Sequence, residues 1–366
     1  MLDNGKISNR QFSILIILFT IGTTTLIVPT VLSDPAKQDS WLASFVGICF
    51  GLLLIVIYKM LAGRYPDLTL AQYCEKILGK WLGKSLSLLF FVFYLLLTSC
   101  LLRIIGDLIT THILAETPIQ AVIGLFVLTV ILAVRYGLET FSRSSEMLFP
   151  YVLLFFLLLS LFLLPQVESN RILPILENGI NPILEGVYHI LALPFLELFI
   201  FLMIAPYVKT PAKIGKNMLI SVLIGGFVVT LVTLLSTMVI GYELTARLNF
   251  PTFVLAQKID IGNFIQRIEV ISGAFIFISI FVKITVTFYS MVLSLAQTLE
   301  LKNYQILTFP LGAIALLLSI CLWPNIIYFR TYSKEVWTPI CIIFGLFFPL
   351  LLLAVDMIKA KFSKKK

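Results

Sequence analysis

Apolar runs of about twenty residues, separated by short polar interruptions, recur along the whole chain. A run of that length crosses a hydrocarbon core of roughly 30 Å as a helix. Setting runs against interruptions predicts ten spans, at 12–32, 41–62, 86–111, 118–134, 147–165, 186–206, 218–241, 269–297, 306–324 and 338–358. No stretch of useful length is left for a soluble domain. The run from Phe12 to Val31 follows Lys6 and Arg10, yet it is too long for a secretory leader and lacks a small-x-small cleavage site. It reads as the first span.

Two connections carry a pattern of their own. After Pro66, the apolar positions Leu70, Cys74, Ile77, Leu78 and Trp81 recur at helical spacing among charges, which predicts a short amphipathic helix at the inner surface. Between Asn249 and Arg267, Phe253, Ile259, Ile261, Phe264 and Ile265 alternate with charges, which predicts a segment folded over the outer mouth as a lid or plug.

Two spans contain residues that interrupt a helix. In the first, Gly22 precedes Thr23, Thr24 and Thr25 at mid-membrane, where a helix can unwind and restart. A restarted helix offers amide N–H groups suited to a carboxylate. In the sixth, Pro194 and Phe195 stand just before Glu197. Either break alone reads as a kink or a packing face. The two fall at equivalent positions if the chain is two five-helix halves, about 12–165 and 186–358, and since five is odd the halves are inverted. The expected fold is therefore an all-α integral membrane protein, a 5+5 inverted repeat with discontinuous helices 1 and 6.

Charge at mid-membrane costs about 2.5–3.5 kcal/mol on insertion scales, so such residues are functional candidates. Arg103 and Asp107, at i,i+4 on the third span, can pair with each other or line a pathway. Glu197 can accept an ammonium group, carry a proton or anchor Lys283. Lys283, midway along the eighth span, is expected to tether two helices as a bound sodium ion would, with ligand contact assigned to Glu197. His189 is expected at the interface with a hydrogen bond.

Composition sharpens this reading. Hydrophobic residues make up 59% of the 366, charged residues 13%, and mean hydropathy is +1.03. The formal charge of +8 sits in short connections and a lysine-rich tail, 359–366, rather than on a basic domain, which excludes nucleic acid as the partner. Eighteen lysines and arginines fall on one side of the spans and seven on the other, which predicts both termini inside. His112 and His189 are the only histidines and the five cysteines lack CxxC spacing, so no metal or disulfide is expected. No Walker loop, GxSxG, HExxH or CxxC occurs, and the chain is read as neither an enzyme nor a cofactor protein.

The segments KISNRQ and IGTTTLIVP, then Trp41, RYPDLTLAQYCEKILGKWLGK, RILPILENGINPILEGV, LPFLELFIFLMIAPYVK and NFPTFVLAQKIDIGNFIQRIE run across nearly the whole chain. In order and spacing they resemble the spore germination permease family, the membrane B subunits of nutrient germinant receptors. The resemblance implies the fold of amino-acid, polyamine and organocation transporters, a spore inner-membrane location, A-type and C-type receptor subunits as partners and a small nutrient as ligand. One position departs from the family pattern: Leu196 stands where a glycine commonly separates Phe195 from Glu197. Three functions follow as expectations: a sensor that binds a small germinant, an amino acid first; a proton- or cation-coupled amino-acid transporter; and a non-binding scaffold for receptor subunits.

Overall fold

The computed structural model describes residues 5–259, 269–323, 328 and 331–363. Ile261, Phe264, Ile265 and Arg267 of the outer segment, and Lys364 to Lys366 of the tail, lie outside the described residues. Among those described, secondary structure is helical apart from one isolated β-bridge. Seven helical stretches are long and apolar enough to cross a bilayer, and three shorter apolar helices accompany them.

In chain order the first span is two helices, α1 (Asn9–Ile21) and α2 (Thr24–Ala36). Then come α3 (Ser40–Arg64), α4 (Leu70–Leu78), α5 (Lys80–His112), α6 (Ile119–Arg135) and α7 (Leu138–Leu163). The sixth span is α8 (Asn181–Ala192) followed by a 3-10 helix, Phe195–Met203. After it stand α9 (Ile214–Val239), two short helices α10 (Tyr242–Arg247) and α11 (Pro251–Gln257), α12 (Glu269–Thr298) and α13 (Thr308–Cys321). The last rod, α14 (Ser333–Phe362), contains two π-helical stretches, Ser333–Trp337 and Ile343–Phe347.

Burial sorts these helices into centre and rim. Every residue from Phe195 to Met203 is buried, as is all of α1 from Ile14 onward, so apart from Glu197 and Thr20 these elements are apolar on every side because protein surrounds them. On α7, by contrast, Leu154, Leu157 and Leu161 are exposed at helical spacing, as are Leu53, Val56 and Met60 on α3. Such stripes suit acyl chains, whereas the breaks at Gly22 and Pro194 lie at the protein-enclosed centre.

The amphipathic connection forms, but shorter than the pattern implied. α4 buries Leu70, Cys74 and Ile77 and begins with a capping box between Thr69 and Gln72. It stops at Gly79, whose φ of 87° is open to glycine and strained for other residues. Trp81 therefore belongs to α5 and is 89% exposed, not the last apolar position of α4. Gly83 lets the two helices meet, since a Cβ there would lie 2.4 Å from the Glu75 Cα.

Candidate functional site

The first break is shaped by a lysine passing close to it. α1 closes with the Gly22 amide donating to the Leu18 carbonyl at 2.9 Å, and α2 restarts after Thr23 without a side-chain cap. A Cβ on Gly22 would sit 2.9 Å from Cδ and 3.2 Å from Cβ of Lys283, so the bare backbone admits the lysine stem. Thr23, Thr24 and Thr25 are all buried. The Thr25 hydroxyl donates to the Gly22 carbonyl at 3.3 Å, while those of Thr23 and Thr24 meet no partner among the described residues. A buried hydroxyl without a partner carries an unmet desolvation cost and marks a position where a ligand or water gains a hydrogen bond.

The second break starts at Leu193, whose extended backbone ends α8, and continues through Pro194 into nine residues of 3-10 helix. Runs of that length are uncommon, because 3-10 hydrogen bonds are poorly aligned and i,i+3 side chains eclipse. Phe195 is held by a close approach: a Cβ on Gly51 of α3 would lie 2.6 Å from its ring. Two residues on, Glu197 is fully buried.

The two breaks meet at one ion pair. Lys283 Nζ lies 2.8 Å from Glu197 Oε2, with both side chains at 0% exposure. An ammonium carries three donors and a carboxylate about four lone-pair sites, so this contact leaves both groups capacity for a further partner. The other carboxylate oxygen accepts from Trp337 Nε1 at 3.3 Å. The ammonium also stands 4.7 Å from the ring centroid of Phe19, a cation–π contact from α1. The lysine thus touches α1 through Phe19, the first break through Gly22 and the sixth span through Glu197.

Of the residues singled out from sequence, Gly22, Glu197 and Lys283 converge, with Thr23 to Thr25 and Pro194 and Phe195 contiguous with them in the chain. Arg103 and Asp107 form a separate pair at 2.9 Å on α5, and Arg103 also donates to the Trp323 carbonyl at the end of α13. His189 is half-buried, with Nδ1 3.5 Å from the Thr338 hydroxyl. Trp337 and Phe19 escaped the sequence reading. An indole at the start of the last apolar run looks like an interfacial anchor, and only the fold brings it to Glu197.

The unusual Leu196 has a local answer. A Cβ on Gly345 would lie 2.3 Å from the Leu196 carbonyl and 2.9 Å from its Cβ, so α14 presents bare backbone where span six carries a larger residue. The Tyr58 hydroxyl lies 2.7 Å from the Gly345 carbonyl and 3.3 Å from that of Leu196, joining three helices at this point.

Polar contacts close the molecule on both sides of the pair. At one end, Thr252 donates to the Thr25 carbonyl, Thr30 to Leu248, and both oxygens of Asp39 accept from the Leu176 amide at 3.1 Å. Phe253 and Ile259 of the predicted outer segment are buried there. Towards the other end, Ile7 pairs with the backbone of Tyr207 and Lys209, Thr69 donates to Gln297 at 2.6 Å and Lys84 meets Glu300 at 2.5 Å. Among the described residues no group of three or more His, Cys, Asp or Glu gathers as a metal site.

Known proteins match both the sequence and this architecture. The family described as spore germination protein matches residues 6–327. Spore germination protein KB of Bacillus subtilis (strain 168) is 30% identical over 371 residues, covering 100% of this chain and 98% of that protein. Spore germination protein YndE of the same organism is 29% identical over 306 residues, 81% and 82% of the two chains. In fold, the chain resembles MHP1, a nucleobase-cation-symport-1 family transporter, with a TM-score of 0.68 at 12% identity over 93% of this chain and 77% of that one. MhsT in complex with L-phenylalanine gives 0.67 at 13% identity over 95% and 97%.

Proposed function

Because the chain belongs to the spore germination protein family, we propose that it is the integral-membrane subunit of a nutrient germinant receptor and binds a small germinant between its two broken helices. The observation that carries this reading is the buried Lys283–Glu197 contact, together with the buried hydroxyls of Thr23 and Thr24, which follow the Gly22 that the lysine passes and have no hydrogen-bond partner among the described residues. Helix restart at Thr24 favours a carboxylate and Glu197 favours an amine, so an amino acid is the ligand class. The likeness to a fold that holds L-phenylalanine in MhsT supports the same class. Closure around the ligand shifts the receptor towards its signalling state. The proposed setting is the spore inner membrane, with ten spans in two inverted halves, both termini inside, and A-type and C-type subunits as partners.

The test is a thermal shift of the purified protein over a panel of amino acids and sugars. A ligand at 100 times its Kd stabilises by about 2.7 kcal/mol. At least one amino acid should raise the melting temperature, and Thr24→Val should erase that shift while leaving the unliganded melting temperature unchanged or higher, because the lost hydroxyl has no partner among the described residues. A panel without any shift, or a sugar-only response, overturns the reading. The fold of cation-coupled symporters favours a second reading, transport of the same ligand, which uptake into proteoliposomes separates from sensing.

A further inference from the structure

The last helix touches the charged centre at one end and α4 at the other. Trp337 donates to Glu197 and stacks on Phe93 of α5, centroids 5.5 Å apart at 18°. Eight residues on, Gly345 packs against Leu196 and accepts from Tyr58. Towards the C-terminal end, Asp356 accepts from Arg64 and from the Tyr65 hydroxyl at 2.5 Å, and Lys359 donates to the Ile77 carbonyl at 2.6 Å. Ile77 lies in the last turn of α4. Trp337 and Asp356 are nineteen residues apart, about 28 Å along a helix.

Both contacts with the centre fall in π-helical turns. Trp337 closes the first such stretch and Gly345 is the middle residue of the second. A π turn holds one residue more than the α spacing accommodates, so it has a nearby alternative: passing the extra residue along turns the adjoining helix by about 100° and shifts it by about 1.5 Å. An element with two discrete arrangements is the physical requirement for carrying a signal between distant sites.

We propose that Trp337 is a positioning residue for the Glu197–Lys283 pair and that α14, through its two π-helical stretches, carries the state of that pair to α4. While Glu197 holds the indole, the rod stays in register, Asp356 and Lys359 keep their partners, and α4 stays closed over Cys74. When the carboxylate turns to another partner the indole is released, the register relaxes and α4 loosens. The route requires no assumption about which ligand the centre takes.

Cys74 is a built-in reporter, fully buried on α4. With Cys49, Cys100, Cys321 and Cys341 replaced by alanine, its rate of reaction with N-ethylmaleimide reads how often α4 opens. Trp337→Phe keeps an aromatic ring but loses the N–H, and should speed labelling about fivefold or more, as a shift of roughly 1 kcal/mol in a local equilibrium would. Glu197→Leu made together with Lys283→Met, which removes the acceptor of the indole along with its counter-charge, should do the same, and adding Trp337→Phe to it should give a rate no faster than the faster of the two, because both act on one route. Tyr58→Phe, which releases the middle of the rod, should give an intermediate rate and decides the matter if Trp337→Phe does not accumulate. Leu311→Ala, a comparable core deletion on α13 away from the route, should leave the rate unchanged. The proposal falls if Trp337→Phe, or Tyr58→Phe in its place, labels at the parental rate. It also falls if the effects of Trp337→Phe and of the pair replacement multiply, or if Leu311→Ala accelerates labelling equally.

Discussion

Among the described residues two cation–carboxylate pairs are buried, and they are built differently. Arg103 and Asp107 lie one turn apart on α5, so the pair can form as soon as that helix does, and Arg103 adds only the Trp323 carbonyl. Lys283 and Glu197 are remote in sequence, neither has an opposite charge within its own helical turn, and each is neutralised only when α12 and the sixth span meet. The first pair therefore solves a local insertion problem, whereas the second makes a charge balance conditional on tertiary arrangement. An element meant to respond to a ligand needs the second kind.

The sharpest way to break this comparison is to remove one partner of the conditional pair. Lys283→Met leaves Glu197 buried without its counter-charge, at a cost of about 3–5 kcal/mol, and should deplete the protein in an immunoblot of membranes from the expressing cells. Adding Glu197→Gln should restore much of the abundance, since replacing a whole buried pair costs far less than halving it. Normal accumulation of Lys283→Met alone would show that the lysine has another partner.

A smaller effect is expected at the local pair. Asp107→Asn keeps a hydrogen-bond acceptor for Arg103, which also retains the Trp323 carbonyl, so the loss should be about 1–3 kcal/mol. Melting curves in detergent measure it. A fall as large as that of Lys283→Met would erase the distinction between local and conditional pairs.

The smallest effect belongs to an ion pair in water. The Lys84 ammonium, by hydrogen bond and then by charge, holds the fully exposed Glu300 carboxyl below its ordinary range. A depressed carboxylate stabilises the fold above its unfolded pKa, about 4.3, and loses that contribution as pH falls through the folded value. The melting temperature of Glu300→Gln should thus lie slightly below wild type at pH 7 and converge with it in acid. A gap that widens on acidification would contradict the assignment.

The breaks at Gly22 and Pro194 were legible because glycine and proline act on the backbone itself, and Glu197 and Lys283 because a charge within an apolar run is too costly to stand there without a role. What followed Pro194 was not legible: Phe, Leu and Ile at 195–202 give no local sign of 3-10 geometry, which comes from the packing around them. Trp337 and Gly345 were hidden for a related reason, since each matters through a residue about 140 positions away that only the fold brings near. Trp81 was misplaced although its signal was present, because the periodicity of apolar positions ran through a glycine that ends the helix. Pattern reports what a face wants to bury, while a terminator decides how far the face extends.

The backbone bridge between Ile7 and the Tyr207–Lys209 segment also orders events in time. The N-terminal end of the first span is fastened by residues made some two hundred positions later, which at about 5–20 residues per second is a wait of roughly 10–40 s on the ribosome. During that interval α1 is without its latch, and Glu197, once made, waits a further 86 residues for Lys283. Biogenesis therefore passes through a stage in which the discontinuous spans are present but unclasped, the stage at which an insertion factor or a membrane protease would meet them.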